Sequence, residues 1–307
     1  MAGDYRLIGF LACYIAVFLM EIVRAVRKPA SGYYRGTLLL TVLGLLLHTF
    51  YVSENCIFQG NRVVTNISGW FYLLDWGIVL CYLYFLYYYP KTPSGLFFLP
   101  IIFLLVAVAE SVRQMNFPEA EAGRYIRGFH GIMFLLTCCC ALSGCITGGM
   151  YFLQRRQLRY NKGVRRPVPL PSLEWLETAN RRSIKLSVVF LGFGILSGFY
   201  INYRLRISSG SPIFSDPMIP GSVILFAIMT VFLSFVSFTR YFQGGKTIAL
   251  FTIVCFLFLL SLVAIGVLSR HTHWYERSGM IPVPIQRETA VSGFPVYPTA
   301  GKESRES

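Results

Sequence analysis

Eight apolar runs of roughly 20 residues constrain this chain more than any other feature. A helix of that length crosses about 30 Å of hydrocarbon, and the whole sequence is 55% hydrophobic and only 14% charged. The pattern predicts an all-α, polytopic membrane helix bundle of about eight transmembrane helices. The predicted spans are Tyr5–Arg24, Tyr33–Val52, Gly69–Tyr88, Leu96–Ser111, Phe129–Phe152, Ile184–Tyr203, Val223–Arg240 and Ile248–Ser269.

Lysine and arginine are distributed unevenly between the two sides of such a bundle. Apart from the C-terminal tail, most of them follow the odd-numbered runs, with the highest concentration in the linker 154–185. Because basic loops stay in the cytoplasm, we expect this linker to be cytoplasmic and both termini to be extracytoplasmic. The net charge of +14 then reflects membrane topology and lipid contact, and it does not indicate a nucleic-acid partner.

The same reasoning predicts the domain organisation and the location of the protein. Residues 1–275 form the membrane domain, and the proline-containing polar residues 276–307 form an extracytoplasmic tail that cannot build a core and is expected to be disordered. The location expected for such a chain is a bacterial-type inner (plasma) membrane. A short amphipathic helix over Ser172–Glu177 is predicted to lie on the inner leaflet, and Gly148–Gly149 is predicted to be a turn at the membrane boundary.

Only four histidines are present, and the predicted topology places all of them at the extracytoplasmic end of their spans. They are His48, His130, His271 and His273. Imidazole is a common ligand of iron and zinc, so the clustering indicates a metal or haem site. His271 and His273 are two residues apart and point in different directions on a helix, so at most one faces a shared site, and His271 is favoured. The alternative is that these are interfacial histidines that tolerate the headgroup region.

Asp75 and Trp70 are the other candidate site residues in the third run. Asp75 lies about two turns inside this run without a basic neighbour in sequence, and an intramembrane carboxylate is a functional candidate. A hydrogen bond to Tyr, Ser or His of another helix explains it equally well. Trp70 belongs either to an interfacial aromatic belt or to a stacking surface for a flat ligand. Glu21 and Glu110 are predicted to pair with arginines three residues later.

Other motifs limit the possible chemistry. Consecutive cysteines at 138–140 cannot form a ligand set on one helix, and no CxxCH motif for covalent haem attachment is present. Phosphate-loop and dinucleotide-binding motifs are also absent. Gly192, Gly194 and Gly198 are predicted to form a seam of small residues for helix packing.

Several segments, taken in order, resemble cytochrome c assembly membrane proteins of the CcsA/HemX-like group. The resemblance covers roughly residues 35–275 and includes Asp216-Pro217 and a histidine after the eighth run. In the true synthases the loop before the seventh span is rich in tryptophan, whereas the loop Arg204–Met218 here has none. A HemX-like accessory protein or a diverged paralogue therefore fits at least as well as a synthase. The segments that carry the resemblance are 46–51, 129–131, 151–158, 170–177 and 194–198.

The resemblance implies haem bound near the extracytoplasmic face by helix-end histidines. The ligands implied are His48, His130 and His271, with His273 as the alternative to His271; Asp75, or the hydroxyls of Tyr51 and Tyr72, would orient an imidazole. Histidines on separate helices can supply two axial ligands to one haem iron. The expected function is haem handling in cytochrome c assembly, as an assembly factor more than an enzyme.

The expected partners are membrane lipids, haem and another cytochrome c assembly subunit. Two other functions stay open. One is a proton-coupled transporter of a small solute, with Asp75 and the histidines as its site. The other is a ligand-free membrane scaffold subunit. The absence of an obvious internal repeat counts against the transporter.

Overall fold

A computed structural model describes the backbone of residues 2–26, 31–57, 66–114, 124–160, 168–209, 218–238 and 244–277. Side chains are described over slightly narrower ranges, which exclude those of Cys56, His271 and His273. The predicted tail lies outside the described residues from position 278 onward. The described chain is all-helical, as predicted, with helices α1 Ala2–Val26, α2 Ser31–Ile57, α3 Ile67–Tyr88, α4 Gly95–Ser111, α5 Arg124–Tyr160, α6 Leu173–Ser209, α7 Met218–Phe238 and α8 Gly245–Arg277.

Six of these helices are long and apolar enough to cross a membrane, namely α1, α2, α3, α5, α6 and α8. The apolar parts of α4 and α7, Gly95–Ser111 and Pro220–Ser234, are shorter. Leucine, isoleucine and phenylalanine side chains are exposed along most helices, as expected for surfaces that contact lipid. The structure therefore supports an integral membrane protein.

Consecutive helices alternate in direction, so that contacts gather at two ends of the bundle. At the end where α1 begins, called here the amino-terminal end, Arg6 of α1 forms an ion pair with Glu54 of α2. At the opposite end, Glu21 of α1 accepts a hydrogen bond from the backbone N–H of Gly95, where α4 begins. Helix α3 ends there too, and the hydroxyl of its Tyr82 donates a hydrogen bond to the Glu21 carboxylate.

Residues 1–267 form one compact unit, and residues 268–307 form a second. The first unit contains two clusters of buried apolar side chains. One joins α1 to α4 with the inner part of α5, where Leu142, Ile146 and Met150 are buried. The other joins α5 to α8, around Leu191, Leu225 and Leu259. Helix α5 contributes to both clusters and, together with α6 and α8, connects the two halves of the bundle.

Glycines allow α5 to lie close to its neighbours. A Cβ at Gly148 would lie 3.2 Å from the carbonyl oxygen of Ala249 on α8, and a Cβ at Gly144 would lie 2.6 Å from Thr252 Cγ2. The prediction of a boundary turn at Gly148–Gly149 is therefore wrong, because both residues lie within α5. Beside them, the Asn180 amide of α6, in the orientation that satisfies both of its polar atoms, donates to Gly144 O (2.7 Å) and accepts from Gly148 N (3.2 Å).

The polar segment between α5 and α6 is shorter than the sequence indicates. Residues 154–160 continue α5, and residues 173–185 belong to α6. The predicted separate helix over Ser172–Glu177 is instead the first turn of α6, because the helix continues without a break into the apolar segment. Its Trp175 packs edge-on against Phe85 with ring centroids 5.2 Å apart, so this helix start is attached to α3.

A buried ion pair closes the end of the bundle opposite the amino-terminal end. Glu21 is fully buried and pairs with Arg24, whose side chain is 6% exposed. The Arg24 guanidinium also donates to the carbonyl oxygen of Pro90, so it connects α1 to the turn between α3 and α4. The predicted pairs Glu21–Arg24 and Glu110–Arg113 are both present.

Candidate functional site

His48 lies on α2 in an aromatic enclosure and is fully buried. Its ring stacks on Phe10 of α1, with ring centroids 4.4 Å apart and planes 10° apart. Tyr14 and Tyr72 approach the ring edge-on, at 6.2 and 6.5 Å between centroids. Tyr51 lies one turn further along α2 and packs against Tyr72. These aromatic side chains separate the imidazole from lipid on the sides they occupy.

The Tyr14 hydroxyl is the hydrogen-bond partner of this imidazole, at 3.3 Å from His48 Nδ1. The other ring nitrogen, Nε2, is buried and has no hydrogen-bond partner among the described residues. If Tyr14 donates, Nε2–H lacks an acceptor; if Nδ1–H donates, the Nε2 lone pair lacks a donor. Each tautomer therefore leaves one buried polar atom unsatisfied, which normally costs about 1–3 kcal/mol.

Gly44 gives Tyr14 the room to reach His48. It lies one turn before His48 on α2, and a Cβ there would lie 2.7 Å from Tyr14 Cε1. Any larger residue would push the phenol ring away from α2. The pair thus depends on a glycine that sequence reasoning assigned no role.

Asp75 is fully buried on α3, and neither of its carboxyl oxygens has a hydrogen-bond partner. It lies within electrostatic range of the Tyr14 hydroxyl of α1 and the Cys139 thiol of α5. The prediction that Asp75 faces the bundle and not lipid is confirmed. Its predicted hydrogen bond to Tyr, Ser or His is absent among the described residues.

This environment leads to a prediction for two substitutions of Asp75. Asp75→Asn keeps the size of the side chain without a charge and should preserve folding. Asp75→Lys introduces a longer cation, which costs at least about 2.5 kcal/mol at a helix centre on insertion scales, and should lower the yield of monodisperse protein. Size-exclusion chromatography of both variants checks this. Equal, wild-type yields would show that the side chain is at a water-filled surface.

His130 has a different environment, between α5 and α6. Its Nδ1 lies 2.8 Å from the carbonyl oxygen of Gly194 and 3.2 Å from Ser197 Oγ. A carbonyl oxygen only accepts, so Nδ1 carries the hydrogen and Nε2 carries the lone pair. Gly198 makes this approach possible, because a Cβ there would lie 3.1 Å from His130 Cε1. An imidazole held through Nδ1–H by a backbone carbonyl is the usual form of a histidine ligand.

Trp70 packs α3 against the start of α5. A Cβ at Gly131 would lie 2.2 Å from Trp70 Cη2, so the indole lies directly over this glycine. Trp70 is half-buried and adjoins the residue after His130. It therefore acts as a helix contact, and its remaining exposed surface lies at the end of the bundle that also holds His48 and His130.

The structure groups the predicted site residues in two places. His48 and Asp75 lie in the first cluster, around Tyr14. His130 lies at the α5–α6 contact, and it shares no partner with His48 among the described side chains. His271 and His273 lie in the last turns of α8, within the second unit, and their side chains are outside the described ones. In the described part of the chain, no group of three or more His, Cys, Asp or Glu side chains is placed to hold a metal ion.

Sequence reasoning did not identify Phe10, Tyr14 or the Gly194–Ser197 acceptors. The sequence contains a pattern that indicates the first two, because Phe10, Tyr14, Val17 and Glu21 recur at helical spacing on α1. In the structure all four are fully buried. A tyrosine and a carboxylate within this otherwise apolar stripe indicate a polar contact inside the bundle. The acceptors of His130 had no such signal, since a backbone carbonyl leaves no trace in the sequence.

No protein-family model, curated protein or solved structure matches this chain.

Proposed function

We propose that this protein handles haem in the membrane during cytochrome c assembly, with His130 as one axial ligand. The single observation that carries the proposal is the Nδ1–H bond from His130 to the Gly194 carbonyl. That bond leaves Nε2 with its lone pair, which is the form that binds haem iron. The resemblance of residues 35–275 to the CcsA/HemX-like group supports the same function.

His130 meets the requirements of a haem ligand better than His48 does. It is half-buried near the start of α5, so its imidazole is not enclosed, and Trp70 packs over the next residue, Gly131. His48 is enclosed, with Phe10 on its face and Tyr72 at its edge, so the packed aromatic core leaves no room for a macrocycle at Nε2. We therefore propose His130, and not His48, as the haem ligand that residues 1–267 supply.

In this proposal the protein holds the haem, orients its histidine ligand and shields the haem. Gly194 and Ser197 fix the orientation of the His130 ring, and Gly198 lets that ring approach α6. Bound haem would supply the redox-active iron centre. The loop Arg204–Met218 has no tryptophan, which favours an accessory role in holding haem over delivery to an apocytochrome, with another assembly subunit as partner.

The experiment that tests the proposal is the absorption spectrum of the purified protein. We expect haem to co-purify, or to bind when added, and to show the bands of imidazole-ligated iron. A variant in which all four histidines are replaced by alanine should retain none. Equal retention by that variant would reject the histidine ligands. A wild-type protein that neither carries nor takes up haem would reject the function and favour a scaffold subunit.

The proposal includes an orientation, with both termini and the His130 end on the extracytoplasmic side of a plasma membrane. The basic residues around the α5–α6 connection support it through the positive-inside rule. We expect an impermeant thiol reagent to label Cys56 from outside intact cells. A variant with Cys56→Ser as its single change is the control. Labelling of Cys56 from the cytoplasmic side alone would reverse the orientation.

A further inference from the structure

A chain of buried polar side chains leads from the amino-terminal end of the bundle toward Asp75. At its outer end, Glu110 of α4 has a side chain that is 36% exposed. The Tyr72 hydroxyl of α3 donates a hydrogen bond to this carboxylate, and Tyr51 lies within hydrogen-bonding reach of Tyr72. The Tyr72 ring packs edge-on against His48, with ring centroids 6.5 Å apart, and His48 Nδ1 lies 3.3 Å from the Tyr14 hydroxyl.

Asp75 stands at the inner end of this chain and lacks any described partner. Both carboxyl oxygens are unsatisfied, as is His48 Nε2. The groups within electrostatic range of Asp75 are Tyr14 from α1 and Cys139 from α5, and none of the described basic side chains pairs with it. A carboxylate without a cation or hydrogen-bond donors is strongly disfavoured inside a membrane, whereas a neutral carboxylic acid is tolerated.

The two ends of the bundle differ in how exposed their acids are. Glu110 is 36% exposed, whereas Glu21 at the opposite end is fully buried in its ion pair with Arg24. Tyr14 and Glu21 are seven residues apart on α1, which is about 10 Å along the helix. Val17, Ile78 and Val79 are fully buried in this interval, and so is the Thr41 side chain of α2. The end that holds Glu110 is therefore the one where an acid of this region meets water.

We propose that Asp75, with Tyr14 and its partner His48, forms a proton-binding site that exchanges protons through the amino-terminal end of the bundle, where Glu110 is partly exposed. Asp75 holds one proton as a neutral acid. The proposed relay includes buried water at Asp75 and at His48 Nε2, because unsatisfied buried polar groups are the usual place for such water. The ligand of the site is the proton itself, and the proposal is independent of haem.

Proton transfer along this chain needs no other reactant. When Glu110 takes up a proton from outside, its hydrogen bond with Tyr72 reverses, and Glu110 becomes the donor. Tyr72 then directs its hydroxyl hydrogen inward, and each further hydroxyl, imidazole or water accepts one proton and donates one. The net result is that one proton leaves the surface and one arrives at Asp75, with the relaying groups unchanged.

The protein sequence contains only three aspartates, Asp4, Asp75 and Asp216. The protonation state of Asp75 can therefore be measured directly. In an Asp4→Asn/Asp216→Asn variant grown with aspartate labelled with ¹³C at the side-chain carboxyl, Asp75 carries the only labelled carboxyl of an aspartate. Infrared spectroscopy of this protein in lipid nanodiscs at pH 7 should show the label in the C=O stretch of a protonated acid. The label appearing only at the carboxylate frequencies would overturn the proposal.

The route of exchange is tested by transferring the same labelled protein into D₂O. The acid band should shift as deuterium reaches Asp75. Tyr72→Phe removes a relaying hydroxyl and should slow this shift by about tenfold or more. Tyr82→Phe is the matched control on the same helix at the opposite end, and it should leave the rate unchanged. Slowing by Tyr82→Phe without slowing by Tyr72→Phe would overturn the assigned direction.

Discussion

Replacing Glu21 with alanine should destabilise the protein more than any other single substitution considered for this bundle, by about 3–5 kcal/mol. The reason is that Arg24, with only 6% of its side chain exposed, would become a buried cation without its counter-charge. The same change removes an acceptor from the Tyr82 hydroxyl and from the Gly95 N–H. The contacts that attach α1 to α3 and α4 at this end would all be weakened.

Thermal unfolding in detergent, followed by intrinsic fluorescence, measures this effect. The matched control is Glu54→Ala, which removes the acid of the Arg6–Glu54 pair. The side chains of that pair are 47% and 33% exposed, and partly exposed pairs contribute at most about 1 kcal/mol. Similar losses for the two variants would mean that the Glu21–Arg24 pair is not enclosed as described.

His130→Gly should cause the largest functional change, the loss of an axial ligand and of most retained haem. The remaining iron would be five-coordinate or water-ligated, so the absorption bands should shift. Added imidazole should partly restore the spectrum, because it can occupy the vacated coordination position. Ser197→Ala removes only a secondary acceptor and should weaken haem retention less than His130→Gly does.

A comparison with His48 separates this interpretation from a structural role. His48→Ala should alter stability more than haem binding, because aromatic side chains enclose the His48 imidazole. Haem retention in His130→Gly that equals the wild type would exclude His130. Loss of haem in His130→Gly without any rescue by imidazole would point to a packing role at the α5–α6 contact.

The helices were predictable from the sequence because membrane spans depend on length and apolarity alone. The prediction of a turn at Gly148–Gly149 was wrong because two adjacent glycines can have either of two structural roles. In a soluble loop it permits a turn, whereas here it lets Ala249 of α8 approach α5 closely. The start of α6 was predicted as a separate helix because its polar composition differs from that of the apolar segment that follows. The sequence pattern did not indicate that one helix continues past Asn180.

The candidate site was predictable only in part. Rare residue types drew attention to His48, Asp75 and His130, and the structure describes all three at the interior of the bundle or at a helix contact. Their partners depend on how helices rotate about their axes, which one sequence does not specify. Tyr14 reaches His48 because Gly44 lacks a side chain, and this pairing involves residues 34 positions apart.

The buried carboxyl of Asp75 also has a consequence for biosynthesis. Helix α3 is the least apolar of the six helices that can cross the membrane, and a charged residue at a helix centre opposes insertion by about 2.5–3.5 kcal/mol. Tyr14, which lies within electrostatic range of this carboxyl, and its partner His48 belong to the two helices synthesised before α3. We therefore expect α3 to leave the translocon together with α1 and α2, as a three-helix unit, and to insert poorly when it is expressed without them.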